Sequence, residues 1–503
     1  MNIAHWLHDA ARQNPEYPAL FRGTVQHANY RQFAARAASL SHWLTDLGVA
    51  QGARVALFMK NRVEYLELLY ACWWIGAVVV PVNAKLHPKE LAWILNHAEA
   101  CLLFTDTQTD VPPECLPSAC QHAAVDDAAY ELAAQAYTTL PAPMTLTGDA
   151  LAWLFYTSGT TGRPKGVMLT HHNLLLMSLC YASDVENVAA RDSMLYAAPL
   201  SHGAGLYHFM YVRRAARHVI SASSGFDAAE ILLLARHFAS LSLFAAPTMV
   251  KRLVQEARQT GQDGQGLHSI IYGGAPMYEA DIREALEVLG QRFVQIYGQG
   301  ESPMTITVLP RSILADTTHP RWQQRIASVG VAQSCVQVRV VDNQGQDVPL
   351  GCEGEVIARG ACVMPGYWRN AEATGQTLQD GWLHTGDVGR LDEEGFLTLT
   401  DRLRDVVISG GSNIYPREVE EVLMRHPAVL EVAVVGEPSA QWGEQVVAFV
   451  VFKQGQSATA KELDACCRNE LAAFKAPKRY CFHAELPKSS YGKILKTALR
   501  EML

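Results

Sequence analysis

The stretch YTSGTTGRPKG, residues 156–166, gathers three glycines, a run of hydroxyl side chains and one lysine into a single short loop. Glycines open backbone conformations closed to other residues, and the amides and hydroxyls of such a loop are donors suited to phosphate oxygens. Lys165 adds a positive charge. The spacing is not that of the GxxxxGK[ST] phosphate loop, because from Gly159 that pattern requires glycine where the chain has Pro164. A different phosphate binder is required. A Ser/Thr/Gly run is often only a solvated turn; here the apolar run LAWLFY leads straight into it, as a strand delivering a binding loop would.

The elements that must position this loop follow from the apolar pattern. From about residue 50 the chain alternates RVALFM, a helix over 61–75, AVVVPV, a helix over 88–98 and CLLFT, which predicts parallel sheet covered by helices. The same texture returns in LSLFAAP, SIIYGGAP and RFVQIYG. Asp227 and Glu230 have the spacing of a helix capping box. Between about 325 and 400 the pattern changes to short strands with Gly- and Asp-rich turns, namely VQVRVVD, GEVIARG and GFLTLTD. After DRLRD it resets to a helix at 416–425, two strands, a helix near 460–473 and an amphipathic tail. Residues 108–148 read as irregular surface. The expected fold is α/β: a large N-terminal domain, 1–401, of mixed parallel sheets covered by helices with a β-rich subdomain, and a small mobile α+β domain, 402–503.

Bulk properties narrow the function. With 49% hydrophobic and 18% charged residues the 503-residue chain can bury more than one core. A net charge of −8 without a Lys/Arg cluster speaks against nucleic acid as a partner. The N-terminal residues lack a basic segment followed by an apolar one, so no signal peptide is expected. The longest apolar run, LLYACWWIGAVVV, is too short to span a bilayer and reads as core. Eleven scattered cysteines without a CxxC pair suggest neither a disulfide framework nor a zinc site, and a reducing cytoplasm is expected.

YTSGTTGRPKG resembles the signature loop of the adenylate-forming enzymes, the superfamily of acyl-CoA synthetases, peptide-synthetase adenylation domains and luciferases, and further segments similar to its motifs follow in order. The resemblance implies that Thr157, Ser158, Gly159, Thr160, Thr161, Gly162 and Lys165 hold the phosphates. It assigns His202, in PLSHGAGL, to the substrate carboxylate; alone, such a histidine reads as packing or capping. YGGAP and YGQGES resemble adenine and acyl-pocket segments, giving Gly274, Ala275, Pro276, Tyr297 and Gly298 to the nucleotide, with Tyr297 as the stacking ring, and Glu301 to Mg²⁺. Tyr207, His208, Gly273 and Met304 are the implied acyl-pocket residues. Gly300 is a departure, since the family more often carries threonine there.

GWLHTGDVG implies Asp387 as acceptor of both ribose hydroxyls, which suits a carboxylate facing a vicinal diol. DRLRDVVISGG implies Arg402 at the ribose, Arg404 as hinge, and Ser409, Gly410 and Gly411 beside coenzyme A. LPKSSYGKILK implies Lys493 as the catalytic lysine, although a lysine near a chain end otherwise reads as surface charge. The implied activity is an acyl-CoA synthetase using ATP, Mg²⁺ and coenzyme A to activate a carboxylic acid, fatty or aromatic, with a homodimer left open. An amino-acid or aryl-acid adenylating enzyme, and a nucleotide or acyl sensor without turnover, stay open as alternatives.

Overall fold

The computed structural model describes every residue except 110, 137–140, 158–163, 276, 410–411, 440–441 and 489–492. Among the described residues four sheets form the frame. In the first, Gln121–Ala124, Ala100–Thr105, Arg54–Phe58, Val78–Val82 and Leu151–Thr157 run parallel, and Lys165–Thr170 closes the edge antiparallel to Leu151–Thr157. In the second, six central strands from Phe293–Gln299 to Pro18–Arg22 are parallel, with antiparallel strands at each end. Parallel strands are buried on both faces, which is why these segments are continuous apolar runs. One apolar cluster takes in residues of both sheets and the helix Val63–Trp74, the run that the sequence marks as core.

That helix carries one buried acid. Glu67 is fully buried, with Arg36 Nε at 2.7 Å and the Tyr130 hydroxyl donating at 2.8 Å. Tyr130 lies on the helix Ala128–Gln135, inside the stretch expected to be irregular. The difference has a tertiary cause: this short helix is held by a phenol reaching 63 residues back, which local pattern does not reveal. Asp227 caps the helix Ala228–Phe238 by accepting from Glu230 N at 2.8 Å. The reciprocal half of the expected box is not made, because the Glu230 carboxylate accepts instead from Ala222 N and Ser223 N.

The third sheet contains Val336–Val341, Gly354–Gly360, Leu378–Gln379, Trp382–Leu391 and Leu397–Arg402, all antiparallel. The fourth is built from Val407–Ser409, Ser412–Ile414, Val429–Ser439, Gly443–Phe452 and Arg479–Phe482, with the helices Pro416–Met424 and Ala460–Glu470 against it. Among the described residues no helix is long and apolar enough to cross a membrane.

Two imidazoles are buried, one at the start of the helix His171–Cys180 and one on the strand Arg217–Ile220. His171 accepts from Ile3 N at Nδ1, 3.2 Å, and His218 lies between the hydroxyls of Tyr196, 2.8 Å, and Tyr30, 3.2 Å. Burial pushes His171 down to about 4 and His218 to about 3. An unfolded histidine titrates near 6.5, so the stability that depends on these neutral rings is complete above about pH 6.5. As pH falls from there towards about 4, the unfolded chain takes up protons that the fold refuses. We expect the unfolding free energy to drop by about 1.4 kcal/mol per pH unit per ring below that point. His171→Gln should flatten the fall in urea midpoint between pH 6.5 and 5; an unchanged slope would contradict the assignment.

Candidate active site

The second and third sheets meet at one carboxylate. Asp387 stands on Trp382–Leu391, directly opposite Arg402 of the neighbouring antiparallel strand, and Arg402 Nε is 2.7 Å from Asp387 Oδ1. From the second sheet, the Tyr297 hydroxyl and Gln299 Nε2 both donate to Asp387 Oδ2 at 2.6 Å. Gln299 Nε2 also reaches Thr385 O at 2.9 Å. Burial, and after it the charge of Asp387, pushes the Tyr297 phenol well above its ordinary range, so it remains a donor. Oδ2 already accepts two bonds, and a carboxylate oxygen has two lone pairs. A vicinal diol bound across both oxygens would therefore have to displace Gln299 or Tyr297.

The same strand end carries the second acid. Glu301 follows Phe293–Gln299 across Gly300, and the Tyr367 hydroxyl donates to Glu301 Oε1 at 2.6 Å. The Tyr367 ring also lies 5.0 Å from Lys165 Nζ, within cation–π range. Residues 366–368 are laid along the strand leaving the signature loop: Met168 N donates to Gly366 O at 3.1 Å and Trp368 N to Gly166 O at 2.7 Å. Thr157 and Lys165 are the last register pair before that loop, whose Ser158, Gly159, Thr160, Thr161 and Gly162 lie outside the described residues. Pro276, Gly410 and Gly411 lie outside them as well.

Gly300 has a local reason. A Cβ there would stand 2.8 Å from Thr157 Cγ2 and 3.1 Å from Phe155 Cδ1, so the missing side chain lets the second sheet close on the first. Ser302 does not replace the absent hydroxyl: it is buried, and its Oγ pairs with Thr305 Oγ1 at 2.9 Å.

His202 sits 5.0 Å from the Phe155 ring. Burial pushes its imidazole down to about 4, so it is neutral at pH 7 and can exchange hydrogen bonds with a carboxylate without neutralising it. Beyond it, Tyr207 stacks on Phe244 at 5.3 Å, and Gly203 and Gly274 both face Phe244, where a Cβ at either would lie 3.8 Å away. Gly274 has φ +80°, and Ala275 follows it on the same turn. The backs of Gly273 and Gly298 are closed by backbone: a Cβ would come to 2.5 Å from Ile296 O and 2.6 Å from Met304 N, respectively. Met304 is buried in a left-handed conformation, φ 51°. His208 is not among the groups meeting at Phe244; its ring stacks on Trp73 at 5.8 Å and its Nδ1 pairs with the Tyr70 hydroxyl at 3.1 Å, as a core side chain does.

The C-terminal segment reaches the same neighbourhood through a neighbour of Lys493. Lys496 Nζ lies 2.9 Å from Glu420 Oε1 and 3.7 Å from Asp401 Oδ2, one residue before Arg402. Asp401 Oδ2 also accepts from Arg417 N at 3.0 Å. Lys493 itself is exposed, and Ile494 bridges back to Lys488, whose Nζ pairs with Glu431. The turn after Gly274 touches this unit too, since Arg417 donates to Met277 O and the Tyr278 hydroxyl to Glu420. Of Arg404, only its place in the turn Leu403–Asp405 is described. Ser409 ends Val407–Ser409, opposite Ser412 and Gly443.

With this geometry in place, residues 7–368 match the family described as AMP-binding enzyme, and residues 418–493 its AMP-binding enzyme C-terminal domain. The chain belongs to the AMP-binding enzymes. Its activity is that of an ATP-dependent, AMP-forming carboxylate–CoA ligase, with ATP, Mg²⁺ and coenzyme A as its requirements. It is similar to a feruloyl-CoA synthase from Amycolatopsis, 36% identical over 99% of this chain and 98% of the relative. A fatty acid–[acyl-carrier-protein] ligase, ScoC of Streptomyces coeruleorubidus, is 34% identical over 98% and 94%. ATP-bound MatB from Rhodopseudomonas palustris superposes with a TM-score of 0.89 at 29% identity, covering 100% of this chain and 98% of that one.

For an AMP-binding enzyme the donor chemistry is coherent. Glu301 presents hard carboxylate oxygens, the type that Mg²⁺ prefers, beside a lysine and a phosphate-type loop. Reasoning from sequence missed Gln299, Tyr367, Glu420 and Lys496. Gln299 alone had a local signal, sitting two residues from Tyr297 on the same face of a strand. The Gly300 contact makes a prediction for this AMP-binding enzyme. Gly300→Ala should cost about 1 kcal/mol or more in close packing, read as roughly a fivefold or greater loss of kcat/KM for ATP. Thr157→Ser, which removes Cγ2, should recover most of that loss in the double variant; simple additivity of the two would show that the contact is not the cause.

Proposed function

We propose that this enzyme joins a fatty or aromatic monocarboxylic acid to coenzyme A through an enzyme-bound acyl-adenylate. The observation that carries the reading is the convergence of Asp387, Arg402, Tyr297, Glu301 and Lys165 where the strand ends of three sheets meet. In this assignment Asp387 and Arg402 orient the ribose, and Tyr297, Gly298, Gly274, Ala275 and Pro276 surround the adenine. Thr157 to Lys165 hold the outgoing phosphates, and Glu301 holds Mg²⁺, which supplies positive charge to the phosphate oxygens. His202 meets the acid's carboxylate. Tyr207, Phe244, Gly273 and Met304 form the acyl wall.

A carboxylate resists attack by a thiol because its leaving group would be oxide. In the first step a carboxylate oxygen attacks the α-phosphorus, the bond to the bridging oxygen breaks, and pyrophosphate leaves. Negative charge spreads over phosphate oxygens in the transition state, so a preorganised cation is the strongest lever that the chain can apply. Lys493 takes that role. In the second step the thiol loses its proton, its sulfur attacks the acyl carbon, and AMP departs. We assign residues 1–401 and 402–503 as the two bodies, turning about Arg404 so that Ser409, Gly410 and Gly411 replace Lys493 at the cleft. Eleven free cysteines suit a reducing cytoplasm for this enzyme.

The aromatic branch of the acid class is supported by the stacked Tyr207–Phe244 pair and by the Tyr207 hydroxyl, a buried donor without a partner among the described residues. A buried unpaired hydroxyl costs free energy that a ligand's polar substituent recovers. Pyrophosphate release across aryl acids, chain-length series and dicarboxylates tests this: hydroxylated aryl acids should lead, and a preference for dicarboxylates would refute it. Lys493→Ala should slow adenylate formation by about a hundredfold or more while a preformed acyl-adenylate still passes to coenzyme A. Wild-type rates in both half-reactions would remove Lys493 from the mechanism.

A further inference from the structure

Three cysteines that are far apart in sequence and play no part in the chemistry above come together behind Glu301. The sulfurs of Cys180, Cys335 and Cys362 all lie within 4.8 Å of one another, with Cys335 Sγ and Cys362 Sγ 2.9 Å apart. Cys180 and Cys362 are buried and Cys335 is half-buried, which leaves one approach from solvent. Among the described residues this is the one group of three or more His, Cys, Asp or Glu side chains placed to share an ion.

The three are held from outside by a single helical surface. Asn173, Cys180 and Asp184 fall at i, i+7 and i+11 along the helix His171–Cys180 and its continuation Tyr181–Val185, so they share one face. Asn173 Nδ2 donates to Ala361 O at 2.9 Å and Val363 O at 3.1 Å, clamping the carbonyls on either side of Cys362. The Asp184 carboxylate accepts from Ser334 N at 2.8 Å and Ser334 Oγ at 2.6 Å, fixing the residue before Cys335. Hydrogen bonds of this kind, which orient ligands without touching the ion, accompany real metal sites.

We propose that Cys180, Cys335 and Cys362 form a binding site for a soft, closed-shell metal cation coordinated by three sulfurs. Metal–sulfur bonds of about 2.3 Å in a trigonal arrangement space the sulfurs about 4 Å apart, inside the span seen here once the Cys335–Cys362 pair opens. Thiolates select soft ions, and a set of three suits ions content with three bonds rather than the closed four-ligand shell of structural zinc. Three S–H protons leave to solvent as three metal–sulfur bonds form. The site adjoins the segment whose Met364 N donates to Glu301 O at 2.8 Å and whose Tyr367 holds the Glu301 carboxylate.

The test uses the full chain, reduced and chelator-stripped, titrated anaerobically with Cd²⁺ against a competing chelator. One equivalent should bind with thiolate-to-metal charge-transfer absorption and a three-sulfur shell in X-ray absorption. Cys335→Ala and Cys180→Ala should each weaken binding by about tenfold or more. The exposed Cys352, changed to serine, should leave it unaltered. Unfolding temperature and pyrophosphate release, measured on each variant, separate loss of the site from loss of fold. The proposal is overturned if the reduced protein takes no Cd²⁺, if either alanine variant that keeps its fold binds as tightly as the parent, or if Cys352→Ser abolishes binding.

Discussion

A carboxylate placed where the second and third sheets meet is the constraint on which the rest depends. Asp387 has its charge matched by Arg402 across one antiparallel pair, and its other oxygen is filled from a different sheet by Tyr297 and Gln299. A buried carboxylate is tolerated only when such partners are present. The strand ends of the second and third sheets are therefore tied together by chemistry rather than by apolar contact alone. Glu301 inherits its position from this tie, because it lies two residues beyond Gln299, in the turn that leaves a strand already anchored at both Tyr297 and Gln299. Its own partner, Tyr367, comes from a segment hydrogen-bonded to the strand that leaves the signature loop. One charge thus sets the register among three pieces of backbone, and the first sheet is brought in by the absence of a side chain at Gly300.

Much of this architecture was legible in the sequence. The strands Arg54–Phe58, Val78–Val82 and Ala100–Thr105 are apolar runs of strand length divided by helical stretches, and parallel burial follows from that pattern alone. The helix Pro88–Ala98 announces itself with proline at its first position. The signature loop could be read as a phosphate binder from residue types, and its order with the later motifs pointed to the family that residues 7–368 match. The helix Ala128–Gln135 was not legible, because its anchor is Tyr130 meeting Glu67 across the fold.

The candidate site divides in the same way. Acids and lysines inside motifs are visible as residue types, but whatever saturates them is not: Gln299 on Asp387, Tyr367 on Glu301 and Glu420 on Lys496 are all contacts across long separations. The three cysteines show the same limit most sharply. Positions 180, 335 and 362 have no spacing that would suggest a shared site, and only the packing of one helix face against two loops makes them neighbours. His208 shows the converse. Its position beside Tyr207 suggests the acyl wall, yet adjacent residues on a helix point in different directions, and the ring goes to Trp73 and Tyr70 instead.

The proposed rotation has an electrostatic consequence that bears on how it can occur. Asp401 lies ahead of the hinge, while Glu420, Arg417 and Lys496 lie behind it, and Asp401 is joined to Arg417 N and faces Lys496 Nζ. Under the proposed hinge, turning the small body about residue 404 would part Asp401 from both. A buried carboxylate stripped of its donors is costly, so intermediate angles at which neither protein nor water satisfies Asp401 are disfavoured. The proposed motion would then be a jump between two positions rather than a continuous drift. If the small body turns as proposed, Lys496 would stay with Glu420, since both lie on it, and this ion pair would hold the segment that carries Lys493 in shape. In this view the lysine that approaches the nucleotide need not be ordered by the nucleotide itself. It would arrive on a segment whose shape is already set three residues away, which would reduce the entropy lost when the charges meet.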